Sequence, residues 1–194
     1  HLAHPHPRPM PVQLRGAPRR LPLRLATLNV AGRLAANTTT LAHLAVDHGV
    51  DVLALQEVKL GGRAVSRFVQ SLNDAAAARA AERRRHHSGF CFKAAPNVAA
   101  VKSAGVILLF RKALCSSGDL ELQGEAHSDF DWGGRMVSAT VKWRGHTLQL
   151  VSTYCPNDSG PRAAFISSAV AAAWQRRPQG TLLLGDWNFV PDPS

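Results

Sequence analysis

From Leu23 onward, short apolar or alternating runs that predict β-strands are separated by longer segments in which apolar residues recur at helical spacing. Two alternating runs, 136–143 and 146–153, flank the dipeptide Arg144-Gly145 and predict a β-hairpin. Runs 90–93 and 105–110 predict a second hairpin with a longer loop. The other predicted strands are residues 23–30, 50–55, 120–124 and 181–184.

Three segments between these runs predict amphipathic helices. The first is capped by Asn37 or a following threonine and ends at Gly49, a residue that favours helix termination. The second is the alanine-rich segment 64–85, and the third starts at Pro161 and ends near Arg177. Strands and helices that alternate in this way predict a single α/β domain.

The last predicted strand has the most informative end. The sequence TLLL at 181–184 predicts a strand buried on both faces, and Gly185-Asp186-Trp187-Asn188 follows it. On an extended segment Asp186 and Asn188 would project the same way. Such a pair suits phosphate chemistry, because the carboxylate can orient water while the amide donates to a phosphoryl oxygen. A turn that caps the strand is an equally open interpretation.

Polar side chains also follow three other predicted strands. Taken singly, each fits a turn, a solvated strand end or a half-buried aromatic residue. Taken together at one rim of an α/β sandwich, carboxylates, amides and a phenol indicate metal-assisted phosphodiester hydrolysis. The residues at the four strand ends are Asn29, Glu57, Tyr154 with Asn157, and Asp186 with Asn188.

Composition and charge indicate the kind of partner. The 194 residues are 45% hydrophobic and 19% charged, enough for one domain with a real core. The net charge of +10 favours a polyanion such as DNA. Residues 1–22, rich in proline, arginine and histidine, predict a flexible basic arm before a domain that spans 23–194. The basic cluster 83–87 is either a solvated helix end or a phosphate contact.

The cysteines and the hydropathy pattern bear on the compartment. Cys91, Cys115 and Cys155 form neither paired spacing for a disulfide framework nor a zinc motif. A reducing, intracellular location is therefore expected, and for an enzyme that acts on DNA we expect the nucleus. No apolar run approaches the roughly 20 residues of a membrane span, so no membrane partner is expected.

Six segments, in order, resemble the endonuclease/exonuclease/phosphatase superfamily. Its members include apurinic/apyrimidinic endonucleases, DNase-I-like nucleases and the endonuclease domains of non-LTR (LINE-type) retrotransposons. The resemblance runs from about residue 23 to the end of the chain. The segments are TLNVAG (27–32), LALQEV (53–58), SAGVILLF (103–110), GGRMVSATV (133–141), STYCPN (152–157) and GDWNFV (185–190).

The resemblance implies a DNase-I-like four-layer sandwich of two mostly antiparallel sheets flanked by helices. It also implies a domain that is incomplete at its C-terminus, because the closing Ser/Thr-Asp-His segment of the family would lie beyond Ser194. The expected cofactor is Mg²⁺, with Mn²⁺ as a substitute.

The resemblance assigns roles to the polar residues at the strand ends. Glu57 would bind Mg²⁺ and Asn29 would support the metal and the phosphate. Tyr154 and Asn157 would contact the scissile phosphate. Asp186 would position or activate the attacking water, and Asn188 would stabilise the transition state. Three further candidates are expected to bind substrate: Arg135, which is otherwise a strand-edge arginine, and Asn97 and Lys102 in the loop of the second hairpin.

Within the superfamily, the sequence is most similar to the LINE-type endonucleases, on the strength of GDWNFV and the following Pro191-Asp192. The resemblance therefore implies a DNA-nicking endonuclease. A DNA-repair endonuclease, another phosphodiesterase or phosphatase, and a non-catalytic remnant that binds nucleic acid by charge are the alternatives. One position departs from the family: Ala31 stands where an Asp or Asn is usual, so metal affinity is expected to be lower.

Overall fold

Two mixed β-sheets lie face to face in the computed structural model of the chain, and helices cover the outer face of each. The structure describes residues 22–61, 63–92, 105–124, 127–128, 132–176 and 180–189. This four-layer α/β arrangement, with mostly antiparallel strand pairs, confirms the predicted fold class. The basic arm predicted for residues 1–22 lies almost wholly outside the described residues and stays a prediction.

The first sheet has the order β1-β2-β4-β3. Its strands are β1 (Leu25–Asn29), β2 (Val52–Gln56), β3 (Phe90–Phe92) and β4 (Ile107–Arg111). Helices α1 (Leu34–Asp47) and α2 (Arg63–Glu82) cover its outer face. Every residue of β2 is buried, because Leu53 and Leu55 face the helices while Val52 and Ala54 face the second sheet.

The second sheet begins after a short helix, α3 (Lys112–Ser117). Its strands are β5 (Leu120–Leu122), β6 (His127–Ser128), β7 (Met136–Trp143), β8 (His146–Tyr154) and β9 (Thr181–Asp186). A helical run of α4 (Ser159–Phe165), a π-helical segment (Ile166–Val170) and α5 (Ala171–Arg176) packs on its outer face. None of the helices in the described ranges has the length and apolar character needed to span a membrane.

Two strand pairs are parallel, β1 with β2 and β8 with β9. Parallel neighbours end at the same edge of a sheet, so residues at their carboxyl ends lie side by side. Asn29 pairs in register with Gln56, and Tyr154 pairs with Asp186. The parallel pairs therefore bring the predicted strand ends of each sheet together.

The first helix begins earlier than the sequence predicts. Leu34 is its first residue and is buried, while Asn37 lies inside the first turn, where its N–H bonds to the carbonyl of Arg33 at 3.0 Å. The Arg33 N–H in turn donates to the Val30 carbonyl at 2.8 Å, so the turn after β1 leads directly into the helix. A backbone turn replaces the expected side-chain cap, and the prediction that Asn37 or a threonine caps the helix is wrong.

The burial of β9 also differs from expectation. Leu182 is 39% exposed, and Leu183 and Leu184 are only partly buried. Within the described residues β9 pairs with β8 alone, so its other edge carries no strand. The short helix α3 and strand β6 were not predicted.

Part of the basic cluster at the end of α2 closes the end of α1. Arg85 Nη1 donates to the carbonyls of Val46 and Asp47 at 3.3 and 3.0 Å. Arg83 Nε lies 3.4 Å from an Asp47 carboxylate oxygen, and Arg79 pairs with the same carboxylate at 2.6 Å. Arg85 thereby satisfies carbonyl groups that a helix end leaves unpaired, while Arg79 and Arg83 pair with the Asp47 carboxylate.

We expect truncation of Leu109 to destabilise the protein far more than truncation of Leu182. Leu109 is fully buried in the cluster with α1 and α2, so Leu109→Ala should lower the free energy of unfolding by about 2–5 kcal/mol. Leu182→Ala, at the exposed position, should cost less than about 1 kcal/mol. Urea denaturation followed by tryptophan fluorescence measures both, and equal losses would contradict the burial of Leu109 and the exposure of Leu182.

Candidate active site

Four of the predicted site residues form one hydrogen-bonded cluster at the shared edge of the two sheets. The Tyr154 hydroxyl donates to Glu57 Oε1 at 2.6 Å. Asn29 Nδ2 donates to Asp186 Oδ2 at 2.7 Å and to Glu57 Oε1 at 3.3 Å. The cluster thus combines two carboxylates, an amide and a phenol, contributed by both sheets.

Backbone geometry at the strand ends brings these side chains together. Glu57 follows β2 directly and has a left-handed backbone with φ of +52°, which turns the chain out of the strand. At Gly185 a Cβ would overlap the carbonyl oxygen of Thr153, so the close approach of β9 to β8 requires glycine. The turn exposes Glu57 at the sheet edge, and the close pairing holds Asp186 beside Tyr154.

A buried polar link lies beneath the cluster. Gln56, almost fully buried, donates through Nε2 to Ser152 Oγ at 3.1 Å and accepts from Thr27 Oγ1 at 3.2 Å. This link crosses between the sheets and satisfies polar groups that would otherwise be costly to bury. Above it is an open cleft of about 260 Å³, lined by Thr27, Leu28, Asn29, Gln56, Gly185, Asp186 and Trp187.

The environment of Glu57 favours its ionised form. Burial raises the pKa of its carboxyl, but hydrogen bonds from Tyr154, Asn29 and Lys59 outweigh that effect and hold the pKa below its usual value. The Lys59 ammonium lies 3.2 Å from Oε2, and the Glu57 side chain is 17% exposed. Glu57 is therefore a carboxylate at neutral pH.

Tyr154 is held in its neutral form. Burial, together with the bond to the Glu57 carboxylate, raises the pKa of Tyr154 to about 12. The Arg135 guanidinium lies 5.0 Å from the centroid of the Tyr154 ring, and its Nη1 is 3.5 Å from the Tyr154 carbonyl oxygen. Tyr154 is thus a hydrogen-bond donor rather than a base, and Arg135 lies beside the cluster.

Asn188 does not project alongside Asp186 as an extended segment requires. Its backbone is left-handed, with φ of +49°, and its N–H donates to Asp186 Oδ1 at 2.9 Å. An aspartate side chain that accepts a bond from the backbone N–H two residues later forms an Asx turn, which is what Asp186 does here. The Asn188 side chain donates to the Cys155 carbonyl at 2.5 Å. The structure therefore contradicts the extended arrangement but keeps Asn188 at the rim of the site.

The remaining candidates are less closely placed. Asn157 is exposed, and its backbone carbonyl accepts a bond from Arg162 Nη1 at 2.8 Å. Asn97 and Lys102 lie outside the described residues, so their expected contact with substrate stays a prediction.

Two further residues of the site were not predicted from the sequence. Lys59 pairs with Glu57, and a lysine two positions after a candidate metal ligand was the available signal. Arg162 Nη1 donates to the carbonyls of both Asn157 and Asn188, at 2.8 and 2.6 Å. Arg162 thereby ties together two loops that carry candidate residues, a role for which the sequence has no signal.

The donor set fits a hard divalent cation. Mg²⁺ is commonly bound by one or two carboxylates, with water and substrate phosphate as the remaining ligands. Glu57 supplies such a carboxylate, whereas Asn29 uses its Oδ1 to accept the Ala31 N–H at 2.8 Å and its amide to hold both carboxylates. In the described part of the chain no three His, Cys, Asp or Glu side chains converge.

Comparison with known proteins places the chain in a family. Residues 26–194 match the model of the Endonuclease/Exonuclease/phosphatase family. The chain belongs to this family. Its members are generally hydrolytic nucleases and phosphatases that use divalent metals. No curated protein matches the chain in sequence.

Several solved structures share the fold. TDP2 of D. rerio complexed with a single-strand DNA product has a TM-score of 0.57 at 21% identity, with 86% of this chain covering 60% of that one. AP endonuclease LMAP of Leishmania major has a TM-score of 0.56 at 18% identity, with 84% covering 54%. The human Nocturnin catalytic domain with bound sulfate has a TM-score of 0.53 at 13% identity, with 88% covering 65%. The chain thus spans less than two thirds of each.

The titration of Tyr154 tests the cluster directly, because it is the only tyrosine in the chain. We expect the phenolate absorbance at 295 nm to appear with a midpoint of about 12 in the folded protein, against about 10 in urea. The protonated hydroxyl is preferred in the folded state. Its contribution to stability is therefore complete below about pH 10 and is lost as the pH rises toward 12.

Glu57→Gln is the matched variant for this titration. Replacing the carboxylate removes the charge that opposes phenolate formation, so the midpoint should fall toward 10. A midpoint near 10 in the unaltered folded protein would show that Tyr154 is not bonded to Glu57.

Proposed function

We propose that this protein is a divalent-metal-dependent phosphodiesterase that cleaves DNA. The observation that carries the proposal is the cluster in which Asn29 joins the carboxylates of Glu57 and Asp186 beside an open cleft. A bound divalent cation would neutralise charge on the phosphate and stabilise the charge that develops during hydrolysis. Glu57, ionised and partly exposed, is the residue we assign to hold it.

The chain's own groups suit the remaining steps. Asp186 has both carboxylate oxygens fixed, one by Asn29 at 2.7 Å and the other by the Asn188 N–H at 2.9 Å. A carboxylate fixed in this way can orient a water molecule and accept its proton without a large reorganisation. Tyr154 is positioned to keep Glu57 in place and remains protonated. Asn157 and Asn188, at the rim, are the amides we assign to phosphate contacts.

DNA as substrate rests on charge and on the structural neighbours. The net charge of +10 attracts a polyanion over long range. Arg135 and Lys59 add positive charge next to the cluster itself. Among the proteins of the same fold, one is TDP2 complexed with single-strand DNA product and another is an AP endonuclease.

Two finer functions fit this activity. The sequence similarity to LINE-type endonucleases, in GDWNFV and Pro191-Asp192, supports the nicking of a DNA strand during retrotransposition. The AP endonuclease and TDP2 neighbours favour DNA repair. Either activity would operate in the nucleus, which we retain as part of the proposal. A non-catalytic remnant is the alternative that Ala31 favours, because alanine offers no ligand.

We expect supercoiled plasmid to be nicked with Mg²⁺ and to stay intact with EDTA. Glu57→Ala and Asp186→Asn should each lower the nicking rate by about 10²-fold or more, because each removes a charged group from the reacting centre. The assay is run on these 194 residues and on the longest natural chain that contains them. A gel that separates nicked from supercoiled plasmid measures the rates.

Exposed acidic residues away from the site are the controls. Glu121→Ala on β5 and Asp74→Asn on α2 make the same chemical changes and should leave nicking unchanged. Full activity in Glu57→Ala and Asp186→Asn would exclude this site. DNA binding without nicking by every chain tested, indifferent to Mg²⁺, would favour the remnant.

We expect Ala31→Asp to tighten Mg²⁺ binding. Ala31 has a left-handed backbone with φ of +47°, a conformation that aspartate tolerates better than alanine. Its neighbour Gly32 bonds to the Glu57 carbonyl at 2.8 Å, so an added carboxylate would lie near Glu57. The dissociation constant should fall by about tenfold, or ~1.4 kcal/mol. Calorimetric titration with Mg²⁺ measures it, and Ala77→Asp on the exposed face of α2 should change nothing.

A further inference from the structure

Phe189, next to Asn188, is unusually exposed for its size. Its exposed fraction is 67%, the highest among the large apolar side chains in the described residues. A single exposed apolar residue is ordinary on a protein surface. Phe189 differs because it lies at the rim of the candidate site and because a charged side chain contacts its ring.

That contact is made by Arg162. Its guanidinium carbon lies 5.5 Å from the centroid of the Phe189 ring, a cation–π distance. The same guanidinium donates to the carbonyls of Asn157 and Asn188. Arg162 therefore covers one face of the ring while anchoring the loop that carries it. The high exposure of Phe189 leaves the rest of the ring open to solvent.

The geometry relates this ring to the reacting phosphate. Phe189 is three residues from Asp186, and three residues of chain span at most about 10 Å. Stacked nucleotides rise about 3.4 Å each, so the ring is within a few nucleotides of a phosphate held at Asp186. The planar Phe189 ring can stack on an uncharged base, and the Arg162 cation behind it attracts the anionic phosphate joined to that base.

We propose that Phe189, held by Arg162, is a stacking platform for the base of an unpaired nucleotide next to the scissile phosphate. The inference rests on the proposed function, because it assigns the phosphate to the cluster around Glu57. A base that stacks on protein must leave its stack with neighbouring bases, so the preferred substrate is single-stranded or locally melted DNA. Stacking uses a π face that every base has, so the platform tolerates any sequence.

Binding to strands with and without bases tests the platform. One probe is a fluorescent oligothymidylate, and the other is a strand of the same length and charge in which every nucleotide is abasic. Both are titrated in EDTA, which removes the contribution of catalysis. We expect the unaltered protein to prefer the oligothymidylate by about tenfold, in the range that removal of one stacking aromatic produces.

Three variants locate the preference. Phe189→Ala should lose it, with weaker binding to oligothymidylate and unchanged binding to the abasic strand, whereas Phe189→Trp should keep it. Trp174→Ala is the matched control, because Trp174 is also exposed, at 44%, but lies on α5. Trp174 lies twelve residues after Arg162 in the same helical run, a distance of about 18 Å. Trp174→Ala should therefore leave the preference for bases intact.

The result that overturns the platform is Phe189→Ala with an undiminished preference for bases, or with equal losses on both strands. Plasmid nicking separates that failure from failure of the proposed function. If nicking needs Glu57 and Asp186 while the base preference ignores Phe189, the platform is wrong and the function stands. If Phe189 controls the preference and no chain nicks DNA, Phe189 stacks a base but no scissile phosphate lies beside it, so the proposed function fails and the platform is reduced to a DNA-binding contact.

Discussion

The hydrogen bond from Tyr154 to Glu57 is the contact on which the site depends, because it joins the two sheets at their common edge. The two residues are 97 positions apart in sequence, and their bond of 2.6 Å involves an ionised acceptor, which makes it stronger than a neutral one. The bond between Asn29 and Asp186 spans 157 positions and crosses the same interface. Neither bond can form until both sheets have folded and packed. The cleft is therefore a product of the whole sandwich rather than of any one motif.

Strain in the backbone accompanies these bonds. Six described residues other than glycine have a positive φ, and four of them belong to the site or its flanking turns: Ala31, Glu57, Lys59 and Asn188. A left-handed backbone costs such a residue about 1 kcal/mol or more. The cluster and its backbone bonds, among them the Asn188 N–H to Asp186, offset that cost. Strain concentrated in this way indicates that side-chain placement at the strand ends takes precedence over local backbone preference.

The sequence predicted what local patterns determine. The hairpin of β7 and β8 was found to within a residue, because alternation and the Arg144-Gly145 turn are both local signals. The exposure of Leu182 was missed, since a run of three leucines looks the same in a central strand and at an edge. Arg162 was missed for a different reason: it binds backbone carbonyls of two loops that only the fold brings together.

The distribution of hydrogen bonds leaves one carboxylate oxygen of the cluster available. Glu57 Oε1 accepts from Tyr154 and Asn29, and both oxygens of Asp186 are engaged. Among the residues that the structure describes, Glu57 Oε2 contacts only the ammonium of Lys59, and that lysine side chain is 35% exposed. Holding a long, partly exposed lysine side chain in one position costs conformational entropy, so a divalent cation can compete with Lys59 for the oxygen. The divalent cation we propose would therefore replace the ammonium at Oε2 while the bonds that hold the two sheets together stay in place.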